Sequence, residues 1–238
     1  MDKVESICNY LEGESFDSGK IFDFSYMPQK NETRISITKK LLKDKRVVHL
    51  GACDHKECIY EKRKKGVWIH DIICDTAKEV IGVDINDEAV KYCNENGIKN
   101  IFSADITKDV DVVREWLHRG KGYVLYAGEI LEHISNPVVF LNGIRENYQN
   151  EIKEIVITVP NAFRLDNFRF ALKGEEGINT DHRHWFSPFT LSKICTDAGI
   201  KVKEVYLVNY ASGRLAKLIK KKYPKNLFYD NIVLVGEL

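Results

Sequence analysis

The chain has 238 residues, 44% of them hydrophobic, which suits one α/β domain of ordinary size with a full core. Its 36 Lys and Arg against 35 Asp and Glu leave a net charge of +1, so overall charge makes no demand for a nucleic-acid partner. No run approaches about 18 apolar residues, which leaves no candidate for a membrane-spanning helix.

The first five residues, Met1-Asp2-Lys3-Val4-Glu5, lack the basic-then-apolar layout of an export signal. A cytoplasmic location with reduced thiols is therefore expected. None of the cysteines, Cys8, Cys53, Cys58, Cys74, Cys93 and Cys195, falls in a C-x-x-C pair, which argues against structural zinc. Val4, Ile7, Cys8 and Leu11 predict a short amphipathic helix. Residues 13–28 read as a loop rich in aromatics (Phe16, Phe22, Phe24, Tyr26), for which packing is preferred over lining a substrate entrance. A second helix is expected over 32–43. Residues 1–45 would thus form a small helical cap.

Five apolar runs follow, each ending in a polar residue or glycine: Val47 to Gly51, Val80 to Asp84, Asn100 to Asp105, Tyr123 to Glu129 and Ile155 to Asn161. Short β-branched runs alternating with helical patterns predict βαβ units and a parallel sheet. The connection after Gly51, with Lys62-Arg63-Lys64-Lys65, reads as a solvated loop. Residues 68–78 read as the first crossover helix. Asn96-Gly97 caps the next helix, and Pro137 opens another. After Asn161 a polar, aromatic loop is expected through Trp185. Ser187-Pro188 then starts a helix as N-cap and N1, ending at Gly199. Two further strands, 202–208 and 231–235, flank a basic helix over 214–222. The expected fold is a doubly wound, mostly parallel seven-stranded α/β sheet in a single domain over 1–238. Residues 46–160 would form a cofactor-binding core and 161–238 an acceptor-side loop and tail strands.

Ligands of such sheets lie at the carboxyl ends of the strands. Asp84, after the second strand, suits a ribose diol, since a carboxylate accepts from both hydroxyls. Asp105, after the third, suits the adenine amino group. The first turn, Gly51-Ala52-Cys53-Asp54-His55, has one glycine, whereas a dinucleotide site needs G-x-G-x-x-G. Asp54 would also repel phosphate. An adenosine cofactor without phosphate fits better, namely S-adenosylmethionine.

These motifs resemble those of class I S-adenosylmethionine-dependent methyltransferases from about Val47 to Val208. Val-His-Leu-Gly-Ala-Cys-Asp-His is similar to a degraded first motif, Val-Ile-Gly-Val-Asp-Ile-Asn to the second, and Ser-Ala-Asp-Ile to the adenine-edge motif. Ala-Gly-Glu-Ile-Leu-Glu-His-Ile-Ser-Asn-Pro resembles the fourth motif of a large subgroup, and Thr-Val-Pro-Asn the end of its fifth strand. The resemblance implies an antiparallel last strand. It implies cofactor contacts from His49, Gly51, Ala52, Cys53, Asp84, Ile85, Ala104, Asp105, Ile106 and Glu129.

Glu129, Glu132 and His133 stand at i, i+3 and i+4, with Asp181-His182-Arg183-His184 on the later loop. A Glu-x-x-Glu-His set is metal-bound in methyltransferases acting on small-RNA 3′ ends. The preferred expectation here is structural: Glu129 near the cofactor, Glu132 in a surface pair, His133 as a strand-end cap, and no bound metal. His133 or His182 is the candidate base for a hydroxyl acceptor. The expected activity is O-methylation of a small molecule, with a sugar, lipid-linked or quinone-like acceptor. RNA methylation, or a non-catalytic relative that only binds cofactor, are the alternatives.

Overall fold

The computed structural model describes residues 7–28, 32–117 and 122–238. In chain order the elements are α1 (Cys8–Leu11), α2 (Arg34–Leu42), β1 (Arg46–Leu50), α3 (Lys56–Lys64), α4 (Ile69–Cys74), β2 (Glu79–Asp84), α5 (Asp87–Glu95), β3 (Ile101–Ser103) and α6 (Val110–Leu117). There follow β4 (Tyr123–Gly128), a 3₁₀ turn (Leu131–His133), α7 (Pro137–Tyr148), β5 (Ile152–Pro160), α8 (Leu165–Ala171), α9 (Pro188–Asp197), β6 (Lys201–Tyr210), α10 (Arg214–Lys222) and β7 (Tyr229–Glu237). The strands form one sheet in the order β3-β2-β1-β4-β5-β7-β6. β1, β2, β3 and β4 pair in parallel, and β6 pairs antiparallel with β7. This is the mostly parallel, doubly wound sheet that the alternating runs predict. Two compact units emerge: Ile35–Gly128 with Asn142–Val156, termed the β1–β4 unit, and Met1–Arg34 with Glu129–Leu141 and Ile157–Glu237, termed the β6–β7 unit.

In the β1–β4 unit the strands read as near-continuous apolar runs because both sheet faces are covered. Val47, Val48, Val83, Val124 and Leu125 are all buried. The stretch expected as a basic loop is instead α3. Lys, Glu and Arg favour helix, and Glu57 in the first turn and Lys62, Arg63 and Lys64 in the last match the helix dipole. A single apolar residue, Ile59, anchors it beside Trp68, Val90 and Cys93, too few to show a periodic stripe. The crossover helix expected over 68–78 shortens to α4. The Lys78 N–H donates to the Lys45 carbonyl, which draws the chain out of the helix and sets β2 beside β1.

In the β6–β7 unit α9 starts as expected: Ser187 and Thr190 form a reciprocal cap with Pro188 in the first turn. Part of the aromatic loop packs: Phe24 is buried, while Phe16 is 92% exposed. Phe22 stacks on Phe189 at 4.8 Å and meets Tyr10 edge-on. Val4, of the first predicted helix, lies outside the described residues. Within the expected polar loop a helix, α8, forms after all. Its Leu165 is buried while Phe168 and Leu172 stay exposed, so only part of an apolar face finds a partner.

Candidate functional site

In the β1–β4 unit the winding reverses at β1, which has β2 on one side and β4 on the other. Open α/β sheets bind ligands beyond the strand ends at such a switch. Gly51 ends β1 at φ +65°, a conformation that favours glycine, and its N–H donates to the Val83 carbonyl at 2.8 Å. The turn then wraps Asp84. The Cys53 N–H donates to Oδ2 at 2.8 Å and the Asn86 N–H to Oδ1 at 2.9 Å. Asp84 is 7% exposed. Burial pushes its carboxyl above the usual range, and the Asn86 and Cys53 bonds pull it back. The Ile85 backbone adds a third such bond, and a carboxylate has about four acceptor sites.

Asp105 is engaged within its own turn. Its Oδ1 accepts from Thr107 Oγ1 at 2.6 Å and its Oδ2 pairs with Lys108 at 2.9 Å. Partial burial opposes ionisation, but the Thr107 and Lys108 bonds prevail and lower its pKa. Ile85 is 71% exposed, an apolar side chain in water at the end of β2. Ala52, Ala104 and Ile106 are buried. His49 is buried too, with Nδ1 3.0 Å from Nδ1 of His70. His70 escapes the sequence analysis, although its spacing with Ile73 and Cys74 on one helical face was a usable signal. Asp54 pairs with Lys62, so its charge is matched and its repulsion of phosphate is weaker than the sequence suggests.

In the β6–β7 unit Glu129 takes a left-handed backbone, φ +57°, at a cost of about 1–3 kcal/mol for a non-glycine residue. Its Oε1 accepts from Thr158 Oγ1 at 3.0 Å and Asn231 Nδ2 at 3.3 Å, with the Arg34 guanidinium at 3.6 Å. Asn209 closes the ring: its Nδ2 donates to Asn231 Oδ1 at 2.6 Å, and its Oδ1 accepts from the Arg34 N–H at 3.1 Å. Arg34, Thr158, Asn209 and Asn231 come from four distant segments, so no local pattern announced them.

Glu132 overturns the expected surface pair. It is 1% exposed, and neither carboxylate oxygen has a hydrogen-bond partner. Burial, then the neighbouring Glu129 charge, pushes its carboxyl up to about 8. His133 lies in the 3₁₀ turn rather than capping a strand, and meets His182 edge-on at 4.7 Å between ring centres. Burial and the nearby His133 lower the His182 pKa, and its Nδ1 is buried without a partner. Ligand atoms of Glu132, His133 and His182 all lie within 4.8 Å of one another. Residues 183–184 strap this turn. The Arg183 N–H donates to the Glu132 carbonyl at 2.7 Å, Arg183 Nη1 to the His133 carbonyl at 2.6 Å, and His184 Nε2 lies 2.9 Å from the Ile134 carbonyl.

No protein-family model matches the chain, and no curated protein does. Solved structures do. The small RNA methyltransferase HEN1 aligns at TM-score 0.53 and 13% identity, over 93% of this chain and 27% of that one. A Bacillus halodurans C-125 protein assigned to the methyltransferases aligns at 0.52 and 12%, over 86% and 98%. The methyltransferase domain of bacterial CtHen1-CN aligns at 0.51 and 15%, over 88% and 100%. With the strand order described above, these likenesses establish that the chain has the Rossmann-like methyltransferase fold.

Proposed function

We propose that the chain is an S-adenosylmethionine-dependent methyltransferase acting on a hydroxyl of a small polar acceptor, with a divalent cation held by Glu132, His133 and His182. The observation that carries the cation is the Glu132 carboxylate: both oxygens are buried and unpartnered beside two imidazoles. Buried polar atoms are almost always satisfied, and a cation among these donors satisfies them. Two imidazoles beside a carboxylate favour Mn²⁺, Fe²⁺ or Zn²⁺ over Mg²⁺. A cation there supplies Lewis acidity that eases loss of the acceptor's hydroxyl proton.

The strand ends of the β1–β4 unit fit an adenosine. Asp84 offers a carboxylate at the strand tip to the diol, Ile85 offers an apolar surface, and the first turn has no glycine-rich phosphate cradle. The sulfonium methyl of the cofactor is activated already. What the protein contributes is orientation: the Asp84 turn holds the sugar, and the strapped turn of Glu132 and His133 fixes where the acceptor oxygen stands. On transfer the S–CH₃ bond breaks and leaves S-adenosylhomocysteine as a neutral thioether, an O–CH₃ bond forms, and the hydroxyl proton passes to solvent water.

The test uses tritiated S-adenosylmethionine with a panel of nucleotide sugars, lipid-linked sugars and quinols, and with an RNA oligonucleotide bearing a free 3′ end. HEN1 is described as a small RNA methyltransferase, which makes the RNA a needed arm. Label in a small molecule, lost on chelation and restored by Mn²⁺, is expected. Label only in RNA would replace the acceptor class. Turnover unaffected by chelation would remove the cation and return His182 to the role of base. Absence of S-adenosylhomocysteine binding by calorimetry would overturn the whole proposal.

A further inference from the structure

Between Glu204 and Asp230 the chain has no acidic residue, yet it carries Arg214, Lys217, Lys220, Lys221, Lys222 and Lys225. Most of these lie on α10, whose buried contact is the small Ala216. Large apolar side chains are exposed on the same helix and at its C-cap: Leu218 at 66%, Leu215 at 51% and Tyr223 at 57%. At helical spacing Leu215, Leu218 and Ile219 share one face, and Arg214, Lys217 and Lys221 the adjoining one. The apolar face runs into a groove of about 870 Å³ within the β6–β7 unit, lined by Phe163, Phe168, Ile219, Tyr223, Leu227 and Phe228. Lys222 and Lys225 line it as well.

We infer that α10 and this groove dock the protein on an anionic lipid surface. The argument is charge complementarity joined to shape. A basic helix with leucines and aromatics beside its lysines lies in the plane of a bilayer, with its apolar face among the acyl chains and its cations on the head groups. A phosphate backbone would use the lysines, but it would leave Leu215 and Leu218 in water and the apolar groove without a use. The groove shares no lining residue with Glu132, His133 and His182, and the inference does not depend on the methyltransferase proposal. Nor does it require a membrane span: no helix among the described residues is long and apolar enough to cross a bilayer.

Cosedimentation with vesicles tests it. The protein is expected to bind phosphatidylcholine vesicles containing phosphatidylglycerol and to ignore phosphatidylcholine alone, with affinity falling as salt rises. Lys221→Gln and Lys222→Gln should each weaken binding about fivefold. Leu215→Ser with Leu218→Ser should weaken it by at least as much, because the apolar face supplies the insertion. All four positions are exposed, so these variants should melt like the parent. No binding to the anionic vesicles overturns the inference. So does binding indifferent to the leucine changes. An RNA oligonucleotide bound in preference to vesicles, and released by the lysine changes alone, overturns it as well.

Discussion

Burial sets a high electrostatic cost on the charged form of Glu132. Its carboxyl, raised from 4.5 to about 8 by burial and then by Glu129, keeps a proton in the folded chain that the unfolded chain has shed between those values. Its share of stability is therefore fully present below about pH 4.5 and is lost as pH rises through about 8. Chelated protein should melt progressively lower from pH 5 to pH 8.5, and Glu132→Gln should flatten that slope. At pH 8.5 the variant should melt higher by at least about 2–4 °C, the equivalent of 1 kcal/mol in a chain of this length, while losing Mn²⁺ binding by electron paramagnetic resonance. A variant that melts lower at every pH would show that the carboxylate is satisfied by protein after all. Asp84 carries the second prediction at this scale. Asp84→Ala should weaken S-adenosylhomocysteine about tenfold or more in calorimetry, since each charge-assisted bond is worth about 1.5–3 kcal/mol. The two acids differ in how far the sequence disclosed them. Asp84 ends an apolar run, and its position at a strand tip follows from that run alone. The burial of Glu132 depends on a strap fifty residues away in sequence, and no local pattern reports it.

Elements with their own caps and periodicity were legible, and those shaped by partners were not. Ser187 and Pro188 announced α9, and the five apolar runs announced β1 to β5. The α3 helix shows one buried apolar anchor amid charge, so its periodicity was silent although its composition favoured helix. The α8 helix had apolar residues at helical spacing, but they fell inside a segment dominated by polar and aromatic residues. The strap of residues 183–184 is the element on which the candidate cation site leans. Arg183 touches the 3₁₀ turn through backbone carbonyls only, so it positions His133 and His182 without being a ligand. Outer partners of metal ligands typically matter 10–100-fold in affinity. Arg183→Ala should therefore weaken Mn²⁺ about tenfold or more while Arg183→Lys recovers part of it. An unchanged Mn²⁺ affinity in Arg183→Ala would show that the turn holds its shape without the strap.

At the scale of the whole molecule the fold was readable because a doubly wound sheet is written in period and order: short β-branched runs, helices between them, polar residues at the strand ends. The polar ring around Glu129 was not, because Arg34, Thr158, Asn209 and Asn231 are far apart in the chain and meet only once it is folded. Ligand linkage tests the assignment of the switch at β1 without knowing the acceptor. A ligand bound only by the folded chain stabilises it by about 2.7 kcal/mol at a hundredfold excess over its dissociation constant, which in a chain of this length is a rise of about 5–11 °C. S-adenosylhomocysteine should give that rise and NAD should give none, because the first turn has one glycine and no pyrophosphate cradle. Asp84→Ala should cut the rise to about half or less at the same ligand concentration yet keep the shift produced by Mn²⁺, and Glu132→Gln should do the reverse. A shift with NAD equal to that with S-adenosylhomocysteine would mean that the strand ends accept phosphate, and the pairing of Asp54 with Lys62 would then be the first contact to re-examine.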